Sequence, residues 1–169
     1  MNVVRLMLSI PLITLASVVF AQSEAARSFD KLKTLAGSWE GRVTSDVPEF
    51  NADSVHVSLR VTSAGNALMH ETTSPEQSED PITMLYLDGD RLLLTHYCDM
   101  GNRPRMQGKS SSDGKMVDFD FVDVEGNIRH GHMSHVSFTF IDPNHHTEEW
   151  TSIMGDKTIR ARINLQRTK

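Results

Sequence analysis

Residues 92–98 read LLLTHYC, which sets His96 two positions from Cys98, the chain's single cysteine. On an extended strand, successive side chains point to opposite faces. Leu92, Leu94, His96 and Cys98 therefore share one face, while Leu93, Thr95 and Tyr97 share the other. If the leucine pair faces a core, His96 and Cys98 point inward near one end, where a polar group can fix the head of an otherwise apolar ligand. An imidazole beside a thiolate is also a metal-ligating pair. Nucleophilic catalysis is a third use. It requires Cys98 to lose its proton, with His96 or the nearby Arg103 and Arg105 supplying a base or a positive charge. The same pattern also suits plain packing, with Cys98 as a small buried hydrophobe and His96 as a hydrogen-bonded core residue.

Other polar groups offer less. RHGHMSH (129–135) and NHHTEEW (144–150) gather His130, His132, His135, His145 and His146, and a His-x-His pair on a strand aims both rings the same way. Gly131 interrupts the first group, His135 falls on the opposite strand face from His132, and no spacing here matches a fixed zinc signature. Region 130–146 therefore reads as a solvated loop with no metal expected. In ALMHETT (67–73), His70 and Thr72 share one face, with Met69 and Glu71 on the other. An inward Met69 would make Glu71 a buried or pocket-mouth carboxylate in need of Arg105 or another donor. Trp150, beside Glu148 and Glu149, either lines a pocket or plugs a core. Asp118 and Asp120 alternate with phenylalanines and face water, so they do not read as an acid/base couple. No Ser-His-Asp motif, phosphate loop or dinucleotide fingerprint is present.

The elements that must position these groups are mostly strands. EAARSFDKLKTLAG (24–37) is the one helical stretch, with Phe29, Leu32 and Leu35 at helical spacing and Gly37 as the stop. After it the chain alternates: Val55, Val57, Leu59 and Val61; Val117, Phe119 and Phe121; Val136, Phe138 and Phe140; Ile159, Ala161, Ile163 and Leu165. A period of two with one wet face predicts antiparallel strands. Asp88-Gly89 is the strongest hairpin turn, and Gly65-Asn66, Asp113-Gly114, Asp142-Pro143-Asn144 and Gly155-Asp156 supply four more. About ten strands follow, beginning near 38, 54, 66, 82, 91, 104, 115, 133, 146 and 157. The predicted class is all-β: an antiparallel up-and-down β-barrel of eight to ten strands with a short N-terminal helix. Closure removes both sheet edges, and a two-sheet sandwich is the alternative. The hairpin 82–97 is apolar on both sides, so the helix or a second subunit must cover its outer face, and a homodimer is one expectation.

Residues 1–21 carry Arg5 ahead of LMLSIPLITLASVVF and end Val19-Phe20-Ala21, the pattern of a secretory signal peptide cleaved after Ala21. Broken by Pro11, that run is shorter than the ~20 residues of a spanning helix, so no membrane span is expected after cleavage. A single domain over 22–169, periplasmic or secreted, is the expectation. The formal net charge of −5 offers no footprint for nucleic acid.

The segment FDKLKTLAGSWEGRV, a short helix running into Gly37-Ser38-Trp39, resembles the Gly-x-Trp signature of lipocalins and related calycin barrels. LAGSWEG, LTHYCDMGNRPRM and DPNHHTEEW are also similar to uncharacterised secreted bacterial lipocalin-like proteins. The resemblance implies a closed barrel with an internal pocket, and a Trp39 that closes the floor against a late-strand arginine, Arg160, Arg162 or Arg167. Ten strands fit fatty-acid-binding or nitrobindin-like barrels better than the eight of lipocalins. The nitrobindin-like glycine-rich motif is replaced by EGRVTSDVPEF, so no haem and no other cofactor is expected. Together these readings predict an exported protein that binds a small apolar or amphipathic molecule. Trp39, Tyr86, His96, Cys98, Arg105 and Trp150 are the candidate pocket residues, with His96 and Arg105 orienting a polar or anionic head. The alternatives are an enzyme using His96 or Cys98, and a filled structural barrel.

Overall fold

A computed structural model describes residues 22–75 and 81–168; the signal-peptide reading of residues 1–21 lies outside them. Helix α1 (Glu24–Lys33) precedes ten strands: β1 (Gly37–Ser45), β2 (Ala52–Thr62), β3 (Ala67–Thr73), β4 (Ile82–Asp88), β5 (Arg91–Tyr97), β6 (Asn102–Ser110), β7 (Met116–Gly126), β8 (His132–Asp142), β9 (His145–Met154) and β10 (Lys157–Arg167). Each strand pairs antiparallel with its sequence neighbour, and β1 pairs with β10 from Trp39↔Arg167 to Ser45↔Ala161, which closes the barrel. Closure leaves no free sheet edge, which is why the predicted barrel, and not a sandwich, forms. Among the described residues, no helix is long and apolar enough to cross a membrane.

Short turns set the register. Gly89, Gly114 and Gly155 adopt φ near +60° at the β4–β5, β6–β7 and β9–β10 turns, a conformation open to glycine and costly for most other residues. Gly37 has φ +141°, and a Cβ there would collide with the guanidinium of Arg167. That contact explains the glycine of Gly-Ser-Trp.

One end of the barrel is sealed. Ser23 caps α1 by accepting from the Ala26 N–H, and Phe29, Leu32 and Leu35 join the interior cluster. Lys31 donates to the Gly114 carbonyl and Ser28 shares a 2.6 Å hydrogen bond with Ser110. These contacts seat the helix across the barrel end, and the β4–β5 hairpin carries apolar residues on its outer face as well. On that face Leu93 is buried, Ile82, Met84 and Tyr86 are half-buried and Tyr97 is exposed.

Trp39 lies fully buried above the helix. Its indole N–H donates to the Leu35 carbonyl at 2.8 Å, and the Arg167 guanidinium sits 4.1 Å from the ring centroid. Arg167 also donates to the carbonyls of Ala36 (2.7 Å), Thr34 (3.0 Å) and Pro143 (3.0 Å). Of the three candidate arginines, Arg167 is the one that meets Trp39. Arg160 approaches Asp46, and Arg162 pairs with Glu149 on the outer surface.

Candidate functional site

The lower half of the interior is filled by Leu68, Leu85, Leu94, Met106, Phe119 and Phe138, all fully buried. The upper half holds a cavity of about 400 Å³. Val43, Val55, Met133, Met154, Ile159 and Ile163 contribute apolar walls, while His70, Thr83, His96 and Trp150 contribute polar atoms. Cys98 also lines it, and exposed Glu49 and Asp99 stand among the lining residues.

Between the filled half and the cavity lies a buried polar cluster. Glu148 has no solvent exposure, and its carboxylate accepts from His146 Nε2 (3.0 Å), from His70 Nε2 (2.9 and 3.1 Å) and from Trp150 Nε1 (3.0 Å). Burial pushes the Glu148 pKa up, but the imidazoles of His70 and His146, by charge and hydrogen bond, more than offset it. The carboxyl is held well below its ordinary range. An ionised carboxylate only accepts, so each imidazole must carry its proton on Nε2. His146 in turn meets Trp39 edge to face at 4.2 Å. The contacts thus run without interruption from the Trp39 floor through His146 and Glu148 to His70 at the cavity.

His96 is 5% exposed and shares a 2.8 Å hydrogen bond between its Nδ1 and Thr83 Oγ1 across the β4–β5 pair. Its ring centroid lies 5.6 Å from that of Trp150. Burial, reinforced by neighbouring His70, pushes the His96 pKa down to about 4. A histidine whose folded pKa falls below its unfolded value of 6.5 binds its proton more readily when the chain unfolds. The stability it permits is complete above pH 6.5 and drains away as pH falls toward 4. One proton over that window amounts to about 3 kcal/mol. Thermal melts between pH 7.5 and 4.5 are expected to show the native chain losing stability relative to His96→Asn below pH 6.5. Parallel curves would show that His96 is not held neutral.

Cys98 follows the predicted face but not a nucleophile's chemistry. Burial is the main cause of a thiol pKa pushed up to about 11, and the adjacent Asp99, which accepts from Sγ at 3.3 Å, adds to it. Thiolate is therefore scarce at neutral pH. Iodoacetamide at pH 7.5 is expected to label Cys98 at least tenfold more slowly than a free thiol such as glutathione. Labelling at the free-thiol rate would contradict the raised pKa.

Six residues were expected to line the pocket, and the structure brings three of them together: His96, Cys98 and Trp150. Trp39 lies below the cavity in the floor. Tyr86 is on the outer face of β4, where its hydroxyl shares a 3.1 Å hydrogen bond with Thr95. Arg105 is 47% exposed on the outer face of β6 and binds Asp123, with Nε 3.1 Å from Oδ1. Arg103 is likewise outside, near Glu125. The reason is strand parity. Asn102, Pro104 and Met106 are the buried positions of β6, which turns both arginines outward and removes the expected cationic partner for a ligand head. Glu71 is half-buried on the outer face of β3, because Leu68 and His70, not Met69, turn inward.

The residues missed by sequence reasoning are His70, His146 and Glu148, and strand alternation carried the signal for them. His146, Glu148 and Trp150 are spaced by two, so an inward Trp150 brings both others with it. Among the described residues, no group of three or more His, Cys, Asp or Glu side chains is arranged to hold a metal ion.

No family model and no curated protein matches the chain. Among solved structures, Rv2717c from M. tuberculosis is similar, with TM-score 0.60 and 16% identity over 85% of this chain and 99% of that one. A protein of unknown function of the DUF3598 family from Nostoc punctiforme PCC 73102 is similar with TM-score 0.54 and 13% identity, over 81% of this chain and 49% of that one. This chain thus spans about half the length of the Nostoc protein. At these identities the likeness shows the barrel fold alone.

Proposed function

We propose that the upper half of this barrel binds a small, largely apolar molecule, and that the protein works as a carrier or sensor of that molecule outside the cytoplasm. One observation carries the reading. The interior is packed solid below the Glu148 cluster and hollow above it, and about 400 Å³ falls within the usual range for small-molecule sites. Apolar walls supply affinity, and the imidazoles of His70 and His96 with the Thr83 hydroxyl orient the ligand. The extracytoplasmic location rests on the sequence pattern of residues 1–21. A Cys98-based enzyme is the weaker reading, because the thiol is held protonated.

A neutral fluorescent probe, N-phenyl-1-naphthylamine, tests the pocket. Its emission is expected to rise saturably, with one molecule bound per chain. Ala161 lines the cavity on β10, so Ala161→Trp fills the space and should weaken binding at least tenfold. No saturable signal, or equal binding to the filled variant, would sink the proposal.

A further inference from the structure

We infer that the ligand is an amphipathic amine, seated with its N–H donating to His96 Nε2 and its apolar chain against the upper barrel wall. This inference rests on the pocket reading above and names the ligand class of that same site.

Charge is the first ground. Among the described residues, no lysine or arginine lines the cavity, while Glu49 and Asp99 do. Glu148, held ionised, lies beneath the floor in contact with His70 and Trp150, both of which line the cavity. A carboxylate, sulfate or phosphate head would enter with no lysine or arginine to meet it and would pass Glu49 and Asp99, an unfavourable arrangement. A protonated amine enters the same field favourably.

The second ground is a nitrogen without a hydrogen-bond partner on a buried ring that lines the cavity. His96 is 5% exposed, lines the cavity and uses Nδ1 on Thr83, while its Nε2 has no partner among the described residues. We assign His96 the tautomer that donates Nδ1–H to the Thr83 hydroxyl, which leaves Nε2 a lone pair and makes it an acceptor. The lowered pKa keeps that lone pair free at neutral pH. An ammonium N–H supplies both the donor and the positive charge that the site lacks.

A matched ten-carbon series separates these requirements by displacing N-phenyl-1-naphthylamine at pH 7.5. Decylamine carries charge and N–H, decyltrimethylammonium charge alone, decan-1-ol a donor alone, and decanoate the opposite charge. Decylamine is expected to displace the probe at a concentration at least tenfold below that of decanoate, with the other two between. His96→Phe is expected to reduce the amine-to-carboxylate ratio at least fivefold. In native protein labelled with ¹⁵N in its histidines, decylamine should shift the His96 Nε2 resonance and decanoate should not, a readout independent of whether the variant folds. Decanoate binding as well as decylamine would overturn the inference, as would an unmoved Nε2 resonance at saturating amine. Failure of the probe itself to bind would instead overturn the pocket.

Discussion

Glu148→Ala is expected to destabilise the protein by about 3–5 kcal/mol, because it strands three buried N–H donors at once. The Nε2–H groups of His70 and His146 and the indole N–H of Trp150 all end on this fully buried carboxylate. For a domain of this size that loss lowers Tm by roughly 10 °C. Glu148→Gln keeps an acceptor but turns an amide donor toward groups that also donate, so it should cost less, about 1–3 kcal/mol. Glu149→Ala is the control. Its carboxylate sits on the opposite strand face with Arg162, partly exposed, and its removal should change stability by less than about 1 kcal/mol. The sign with pH is also fixed. A carboxyl held below its ordinary pKa of 4.5 contributes stability that is complete above that pH and lost as pH falls through its folded value. The Glu148 contribution is thus still complete over most of the window in which His96 titrates. Equal melting of the Glu148→Ala and Glu149→Ala variants would contradict the cluster's structural role.

Trp39→Ala should be the costliest change at the sealed end, about 3–5 kcal/mol, since it removes a fully buried indole from a packed floor. The loss goes beyond area. Arg167 loses the ring beneath its guanidinium, the Leu35 carbonyl loses a donor, and His146 loses the edge-to-face contact that steadies it against Glu148. Trp39→Phe retains most of the apolar volume and should recover about half of the effect. Urea unfolding gives both values directly. Because Trp39 and Glu148 share His146, the double variant should lose less than the sum of the two single changes. Strict additivity would show that the floor and the polar cluster are independent.

Ten strand starts were legible because half-buried antiparallel strands alternate and because Asp-Gly, Gly-Asn and Asp-Pro-Asn turns interrupt the alternation at short intervals. Gly-Ser-Trp and its arginine were legible as a resemblance, but only the register Trp39↔Arg167 selects among three arginines on one strand. The site was half legible. LLLTHYC places His96 and Cys98 on the leucine face whatever the rest of the barrel does. Tyr86 was not decidable in the same way, since β4 is apolar on both faces, and the buried Thr83 and Leu85 mark the inward phase that turns Tyr86 outward. Arg105 follows Met106 by parity, and the buried Pro104 confirms that phase. Glu148 and Glu149 read only as sequence neighbours of Trp150, with no role of their own. Glu148 is buried because His146 and Trp150 on its own strand and His70 on the distant strand β3 all donate to it, and the His70 contact is one no local pattern reveals.

The cavity can be watched from its own methionines. Met133 and Met154 line it, Met106 is buried in the packed interior outside the lining, and Met69 and Met84 pair across the outer face of β3 and β4. Methyl NMR of methionine-labelled protein, titrated with N-phenyl-1-naphthylamine, is therefore the most direct test of where a ligand sits. Binding inside the barrel predicts shifts at Met133 and Met154 that saturate together, with Met69 and Met84 unmoved. Shifts confined to Met69 and Met84 would place the probe on the outer face of the hairpin and contradict an internal site.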